Sequence, residues 1–187
     1  MIETAQLSNH FLIAMPMLED SNFFHSVTYL AQHDEHGALG VVINHPDNTT
    51  FADLADHLGI DCLDPCAART ILYRGGPVQP ERGFVLHRPI GNWHSTLAVG
   101  GEIGLTTSRD VIEAIARGDG PQQWLVALGY AGWGPGQLEQ ELADNAWLSS
   151  PSEPRLIFDS AVEQRWGEAA ALLGIDLARL APGAGHA

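Results

Sequence analysis

The sequence contains no lysine, and all nine of its basic residues are arginine. With 23 acidic residues, the formal net charge is -14 at pH 7. Proteins that bind nucleic acid directly use clustered lysine and arginine to neutralise phosphates and release counterions. The sequence has no such basic stripe, and the same negative field disfavours anionic membranes. We therefore expect neither direct nucleic-acid binding nor membrane association.

Long apolar runs are also absent. No stretch approaches the roughly 20 apolar residues of a membrane-spanning helix. The first ten residues lack the positive segment and apolar run of a signal peptide. These absences predict a cytoplasmic protein. A length of 187 residues is typical of one domain, so we expect a single domain over 1–187 with a mobile tail at about 181–187.

Motifs for common catalytic and cofactor chemistries are missing. No serine lies in a G-x-S-x-G elbow, and a phosphate-binding P-loop requires the lysine that the chain lacks. No G-x-G-x-x-G follows a predicted strand. Cys62 and Cys66 have no second pair of ligands at zinc-like spacing, and we interpret them as incidental thiols. We expect no catalytic residue and no cofactor.

The sequence has nine histidines, which can ligate a metal, and their densest group is His33-Asp34-Glu35-His36. The spacing fits no established metal motif. Because both histidines flank a predicted turn, we interpret the group as a solvated hairpin tip. The prediction is that the protein has no metal site.

Short apolar segments rich in β-formers predict strands, and capping patterns predict helices. The strands come early and the helices are scattered later, which favours an α+β fold with a mixed sheet over a doubly wound parallel sheet. Gly37 is expected at positive φ in a hairpin turn. Strands are predicted at 11–15, 27–32, 39–44, 71–73, 84–87, 97–105, 124–130 and 155–158, and helices are predicted to begin at Thr50, Thr107, near Pro135 and at Ser160.

Three further local features carry predictions. Residues 75–83 form a long connection between two strands, and Gly100-Gly101 marks a bulge or bend within one strand. Asn145 and Trp147 are predicted to end a helix with a buried aromatic side chain.

A run from Leu128 to Glu139 leads from an apolar strand through four glycines into a helix whose first turn contains Pro135. Free amides at a helix N-terminus favour an anion, and glycine permits close approach of a ligand to the backbone. The alternative is a sharp turn packed around Trp133, with Glu139 already complementing the helix dipole.

Several arginines lie beside the glycine turns, where a guanidinium can hold a carboxylate or phosphate. The alternative is that each arginine pairs with a nearby carboxylate of this acidic chain. An anion site here needs several donors acting together, so any such site requires them to converge on one face. The candidate anion or ligand site consists of Arg74, Gly75, Gly76, Arg82, Arg109, Gly132, Gly134 and Gly136.

Several segments of the sequence form a recognisable set: 10–16, 40–44, 75–78, 82–87, 105–110, 128–139 and 145–148. Together they resemble the AlgH/YqgE family, over nearly the entire chain. The resemblance implies a bifurcated β-sheet curled into a pseudo-barrel with flanking helices. It implies no established reaction and no catalytic residues. One branch of the family is named for a regulatory effect on alginate production, which suggests a regulatory role.

Two positions depart from the usual pattern of that family. His45 stands where we expect arginine before the proline, and His36 stands where an acidic residue is commoner. If the arginine served an anion site, histidine would make that site weaker or pH-dependent, because histidine is largely neutral at pH 7.

Two functions remain open. The first is an intracellular regulatory or interaction protein that binds an unknown protein partner and does not contact DNA itself. The alternative is a small enzyme, or a receptor for a small anionic ligand, that uses the glycine turns and their arginines.

Overall fold

The computed structural model describes residues 6–180, and the predicted tail at 181–187 lies outside these described residues. Its strands are β1 (His10–Ala14), β2 (Val27–Asp34), β3 (Gly37–Val42), β4 (Pro46–Thr50), β5 (Ile71–Arg74), β6 (Val78–Arg88), β7 (Thr96–Val99), β8 (Ile103–Thr106), β9 (Gln123–Trp133) and β10 (Trp147–Pro151). Its α-helices are α1 (Phe51–His57), α2 (Pro65–Ala68), α3 (Arg109–Arg117), α4 (Gln137–Ala143), α5 (Pro154–Phe158) and α6 (Arg165–Ala171).

Eight strands form a curled antiparallel half-barrel in the order β10-β1-β2-β3-β9-β6-β8-β7. The sheet divides at β9. On one edge of β9, β3 pairs antiparallel with residues 131–133, and β5 pairs parallel with residues 127–128. The other edge of β9 pairs with β6, while β4 pairs only with β5. This arrangement confirms the predicted α+β fold with a mixed, bifurcated sheet and flanking helices.

Both faces of the sheet are covered by helices. Alternate residues such as Phe11, Tyr29 and Leu86 pack on one face together with α5 and α6. On the opposite face, Val85 and Val126 pack against α1, α2 and α3. Farther along that sheet, Leu12 and Leu30 are buried in a third cluster that includes Leu138 of α4. Burial on both faces explains why the sequence of β9 is a nearly continuous apolar run.

The two branches of the sheet meet at Gly75 and Gly76. The Gly75 amide donates to the Leu128 carbonyl at 2.8 Å, and the Gly75 carbonyl accepts from the Val42 amide at 2.9 Å. A Cβ atom at Gly75 would lie 2.3 Å from the Gly129 carbonyl oxygen, and one at Gly76 would lie 2.1 Å from the Tyr130 carbonyl carbon. The two glycines therefore allow β5 and β9 to approach more closely than side chains permit.

Local sequence signals are confirmed where they depend on neighbouring residues. Gly37 has a φ of +134° in the turn between β2 and β3. Thr50 and Asp53 form both hydrogen bonds of a capping box at the start of α1. Gly118 ends α3 in the left-handed conformation.

One predicted strand is wrong. The predicted strand 155–158 is helix α5, where Pro154 occupies the first turn and Leu156 and Ile157 are buried. A short apolar run fits a buried helix as well as a strand, so tertiary packing decided its conformation. The predicted helix stop followed by a buried aromatic is confirmed, because α4 ends at Ala143 and Trp147 is buried, where it begins strand β10. A helix does begin near Pro135, as predicted, but α4 begins at Gln137, so Pro135 lies before its first turn.

Two predicted connections differ as well. Residues 97–105 form the hairpin of β7 and β8, in which Gly100 and Gly101 have positive φ and make the turn instead of a bulge. Strand β6 already begins at Val78, so the long connection at 75–83 is not a loop. The pairing of β6 with β9 shifts register between Val78 and Gly83, which accommodates the polar, proline-containing residues of this segment.

Because Gly75 lies so close to the backbone of β9, we expect different effects from substitutions of Gly75 and Gly132. Gly75→Ala should lower the free energy of unfolding by about 1–3 kcal/mol, because its Cβ overlaps backbone that cannot move independently. Gly132→Ala is the control, since its Cβ would lie 3.5 Å from the Tyr130 ring, an ordinary contact. That variant should stay within about 0.5 kcal/mol of wild type in urea denaturation. Equal stability of the two variants would contradict the close-crossing argument.

Burial also affects histidines. His87 is fully buried, with Nδ1 at 3.0 Å from the Pro89 carbonyl and Nε2 at 2.6 Å from Thr106 Oγ1. Burial lowers the pKa of His87 below its ordinary value of 6.5. The pKa values of His25 and His45 are likewise lowered, with burial as the largest cause.

From the lowered pKa values of these histidines we expect acidification to destabilise the fold. Near and below pH 6.5 the unfolded chain binds protons that the folded chain excludes, so the free energy of unfolding should fall as pH decreases through 6.5. Urea denaturation at several pH values measures this slope. His87→Gln removes one titrating group and should make the slope shallower. A slope identical to that of wild type would exclude His87 as a contributor.

Candidate functional site

A pocket of about 400 Å³ opens beside the division of the sheet. We call it the fork pocket. Its volume lies within the range typical of small-molecule sites. Its lining combines one guanidinium, one carboxylate, one imidazole and several apolar surfaces. The lining residues are Ser21, Asn22, His45, Asp47, Arg74, Gly76, Pro77, Pro80 and Leu128.

Arg74 is positioned by the strands that meet at the fork. It is the last residue of β5, paired in parallel with Leu128 of β9. Its amide donates to the carbonyl of His45 at 2.7 Å, next to the start of β4. Arg74 and His45 therefore lie side by side on adjacent chain segments at the pocket.

The loop between β1 and β2 (residues 15–26) forms another wall. Asn44 fixes the end of this loop, because its side chain accepts from the Val27 amide at 2.8 Å and donates to the His25 carbonyl at 2.9 Å. The Nε2 atom of His45 lies 2.9 Å from the Phe24 carbonyl. These bonds hold the loop that contributes Ser21 and Asn22 to the pocket.

The charges of the fork pocket are separated. Arg74 is exposed, and among residues 6–180 no carboxylate lies within 4.0 Å of its guanidinium. The Asp47 carboxylate accepts a hydrogen bond from the Thr49 hydroxyl at 2.6 Å. The pocket therefore presents a cation and an anion that do not neutralise each other directly.

His45 does not supply a second cation at neutral pH. Burial is the largest cause that lowers its pKa, and the charges of Arg74 and His25 add to the effect. A carbonyl oxygen only accepts hydrogen bonds, so Nε2 must carry the proton that is donated to Phe24. In the neutral ring, Nδ1 is then a hydrogen-bond acceptor.

The fork pocket contains only part of the predicted anion site. Arg74 and Gly76 line it, with Gly75 directly between them in the chain. The structure gives the two glycines a structural role, because the Gly75 amide is bonded to Leu128.

Arg82 and Arg109 line a different pocket, of about 300 Å³, between α1, α3 and β6. Arg109 donates to Glu113 at 2.7 Å and to the Leu58 carbonyl at 2.7 Å. The Arg82 guanidinium bonds Gln79 and lies 5.7 Å from the centroid of the Phe84 ring. The rest of the lining consists of Leu54, His57, Leu58, Glu81, Gly83, Thr107, Ser108 and Ile112.

The glycine loop lies elsewhere. Gly132 is a residue of β9 and pairs with Leu39, and the Gly134 amide donates to the Gln137 side chain at 3.0 Å. Gly136 is the N-cap of α4 with a φ of +76°. In the described part of the chain, none of these three glycines lines either arginine pocket. The predicted donors are thus divided among three places.

The histidine cluster is also divided. His36 is exposed, but His33 is buried, which corrects the prediction that both lie at a solvated tip. His33 Nδ1 accepts from the Leu7 amide at 3.0 Å, and Nε2 lies 2.5 Å from a Glu139 carboxylate oxygen. Within residues 6–180, no three histidine, cysteine, aspartate or glutamate side chains are grouped closely enough to hold a metal ion.

Sequence reasoning missed several residues of the fork pocket. Asp47 follows His45-Pro46, a segment that predicted no strand, and Asn22 lies in a loop without any motif. The departure at His45 was the only signal in the sequence for this part of the pocket.

Among the described residues, no helix is long and apolar enough to cross a membrane.

Comparisons with known proteins agree with the fold. An AlgH-like family model matches residues 11–178. A UPF0301 protein from Nitrosococcus oceani is 54% identical over 180 residues, covering 96% of each chain. Another from Thioalkalivibrio sulfidiphilus is 53% identical over 187 residues and covers both chains completely.

Solved structures show the same similarity. The solution structure of the AlgH protein from Pseudomonas aeruginosa is 48% identical, with a TM-score of 0.81 over 100% of this chain and 99% of that one. A crystal structure of a Corynebacterium diphtheriae protein shares the fold with a TM-score of 0.73 at 18% identity, covering 97% of this chain and 94% of that one. The family model and the relatives that match over the full length establish that the chain belongs to the AlgH-like family.

Proposed function

We propose that this chain is a cytoplasmic regulatory or interaction protein that acts by binding an anionic group in its fork pocket. The group is a carboxylate or phosphate of a small ligand or of a partner. The observation that carries the proposal is the exposed guanidinium of Arg74, which has no carboxylate partner within the described chain and lies in a pocket of about 400 Å³.

The electrostatic setting supports this choice. In a chain with a net charge of -14, a free arginine in a pocket is a local exception to a field that repels anions. A guanidinium offers planar, paired donors that match the oxygens of a carboxylate or phosphate. The four arginines Arg109, Arg117, Arg155 and Arg179 already have carboxylate partners, which makes Arg74 the better candidate.

The same negative charge supports binding without direct DNA contact. Phosphate backbones are held by clusters of basic side chains, and their affinity depends on the number of such contacts. One guanidinium beside Asp47 fits a small anionic group better than a nucleic-acid backbone.

A second candidate function belongs to the pocket of Arg82 and Arg109. Its apolar wall and the Arg82 guanidinium, which bonds only a neutral side chain among the described residues, suit an anion with an apolar body. Binding there would fit a receptor for an anionic metabolite. The glycines Gly132, Gly134 and Gly136 would take part in neither pocket.

A thermal-shift screen tests the proposal. Carboxylates, phosphates and nucleotides are compared for their ability to raise the melting temperature, since a ligand of the native state stabilises it by mass action. For the best ligand, Arg74→Gln should weaken binding about tenfold or more, because a charge-assisted hydrogen bond is lost. The unliganded variant should keep wild-type stability within about 0.5 kcal/mol, because Arg74 is exposed.

Two control variants locate the binding site. Arg69→Gln removes another exposed arginine, one that lies outside both pockets, and should leave the affinity unchanged. Arg82→Gln should weaken binding only if the ligand occupies the second pocket. A ligand that binds wild type and Arg74→Gln equally would contradict recognition in the fork pocket.

A further inference from the structure

The opposite charges of the fork pocket restrict the ligand further. Asp47 and Arg74 both line the pocket, and their charged groups are not within 4.0 Å of each other. Asp47 is partly buried, and in the described chain its carboxylate accepts a hydrogen bond from the neutral Thr49 hydroxyl. A simple anion that satisfies Arg74 would leave Asp47 without a cation and would be repelled by it.

His45 adds a hydrogen-bond acceptor to the lining of the fork pocket. Its Nε2 hydrogen is directed to the Phe24 carbonyl, so the other ring nitrogen of the neutral imidazole has a free lone pair. Within residues 6–180, Nδ1 of His45 accepts no hydrogen bond from the protein. An ammonium group has three donors and no acceptor, so it can donate both to a carboxylate and to an imidazole nitrogen.

The remaining walls are apolar. Pro77, Pro80 and Leu128 line the pocket and have no charged groups to pair. They provide a surface for aliphatic atoms, while Ser21 and Asn22 provide neutral polar groups from the loop between β1 and β2. The lining of the pocket therefore includes opposite charges as well as apolar surface.

We infer that the fork pocket binds a free α-amino acid, whose carboxylate contacts Arg74 and whose ammonium group contacts Asp47 and His45. The inference rests on the proposed function, because it uses the same guanidinium to hold an anionic group. It extends that function by assigning a zwitterionic ligand class and a role to Asp47. Such a ligand satisfies both charges without adding net charge to the acidic protein.

The test begins with the full-length chain and a panel of the natural L-amino acids in a thermal-shift assay. The amino acid that raises the melting temperature most is then studied by calorimetry beside two analogues. One analogue lacks the amino group and the other lacks the α-carboxylate; for leucine they are isocaproate and isoamylamine. The amino acid should bind at least about tenfold more tightly than either analogue, because each analogue lacks one charged contact.

Charge-neutralising variants assign the two contacts. Asp47→Asn should weaken amino-acid binding about tenfold, while binding of the analogue without an amino group should stay equal or become tighter. Arg74→Gln should weaken both. Asp56→Asn, at an exposed aspartate of α1 outside the fork pocket, is the matched control and should change neither.

The outcomes separate this inference from the proposed function. If the deaminated analogue binds as tightly as the amino acid, or Asp47→Asn strengthens binding of both, the zwitterion assignment is overturned while anion recognition by Arg74 stands. If no amino acid of the panel raises the melting temperature, the zwitterion assignment is overturned as well. If no carboxylate or phosphate binds in a manner that depends on Arg74, the proposed function fails as well.

Discussion

The close crossing of β5 and β9 is the constraint on which the divided sheet depends. Gly75 and Gly76 lie against the backbone of Gly129 and Tyr130 at distances that exclude a Cβ atom. Because Gly75 bonds both Leu128 and Val42, it connects the two branches through their main chains. Without this approach β5 could not pair with β9 beside β3, and the sheet would have no fork. The backbone bonds are satisfied internally, as buried polar groups require.

The fork pocket is a consequence of that division. Two strands pair with the same edge of β9, and the pocket is lined by Arg74 at the end of β5 and by His45, which follows β3 in the chain. Arg74 and His45 reach the pocket from neighbouring segments, and the loop between β1 and β2 is held over them by Asn44. The residues that form the pocket are therefore distant in sequence, although the constraint that creates it is a glycine pair. Close backbone packing and a candidate binding site occur together in this part of the fold.

The charges of its side chains distinguish the fork pocket from the rest of this acidic chain. The chain is strongly acidic, and arginines such as Arg109 and Arg155 are engaged by carboxylates close to them in sequence. Arg74 differs because its strand places it where no carboxylate of the described chain reaches it. His45 remains neutral beside it because burial and the positive charge of Arg74 both disfavour protonation. Family membership establishes the fold but no reaction, so the chemistry of these side chains is the basis for a functional hypothesis.

The sequence by itself determined the features that depend on nearby residues and on overall composition. The capping box of Thr50 and Asp53, the positive φ of Gly37 and the predominance of negative charge follow from local chemistry, and the family resemblance led to the correct bifurcated fold. Tertiary structure decided the rest. Residues 155–158 became a helix because packing can bury a short apolar run in either conformation. Trp147 entered a strand because β1 offers it a partner 133 residues away at Ala14. The predicted arginine and glycine site was divided because convergence depends on strand pairing and chain crossing, which bring together residues that no local pattern relates.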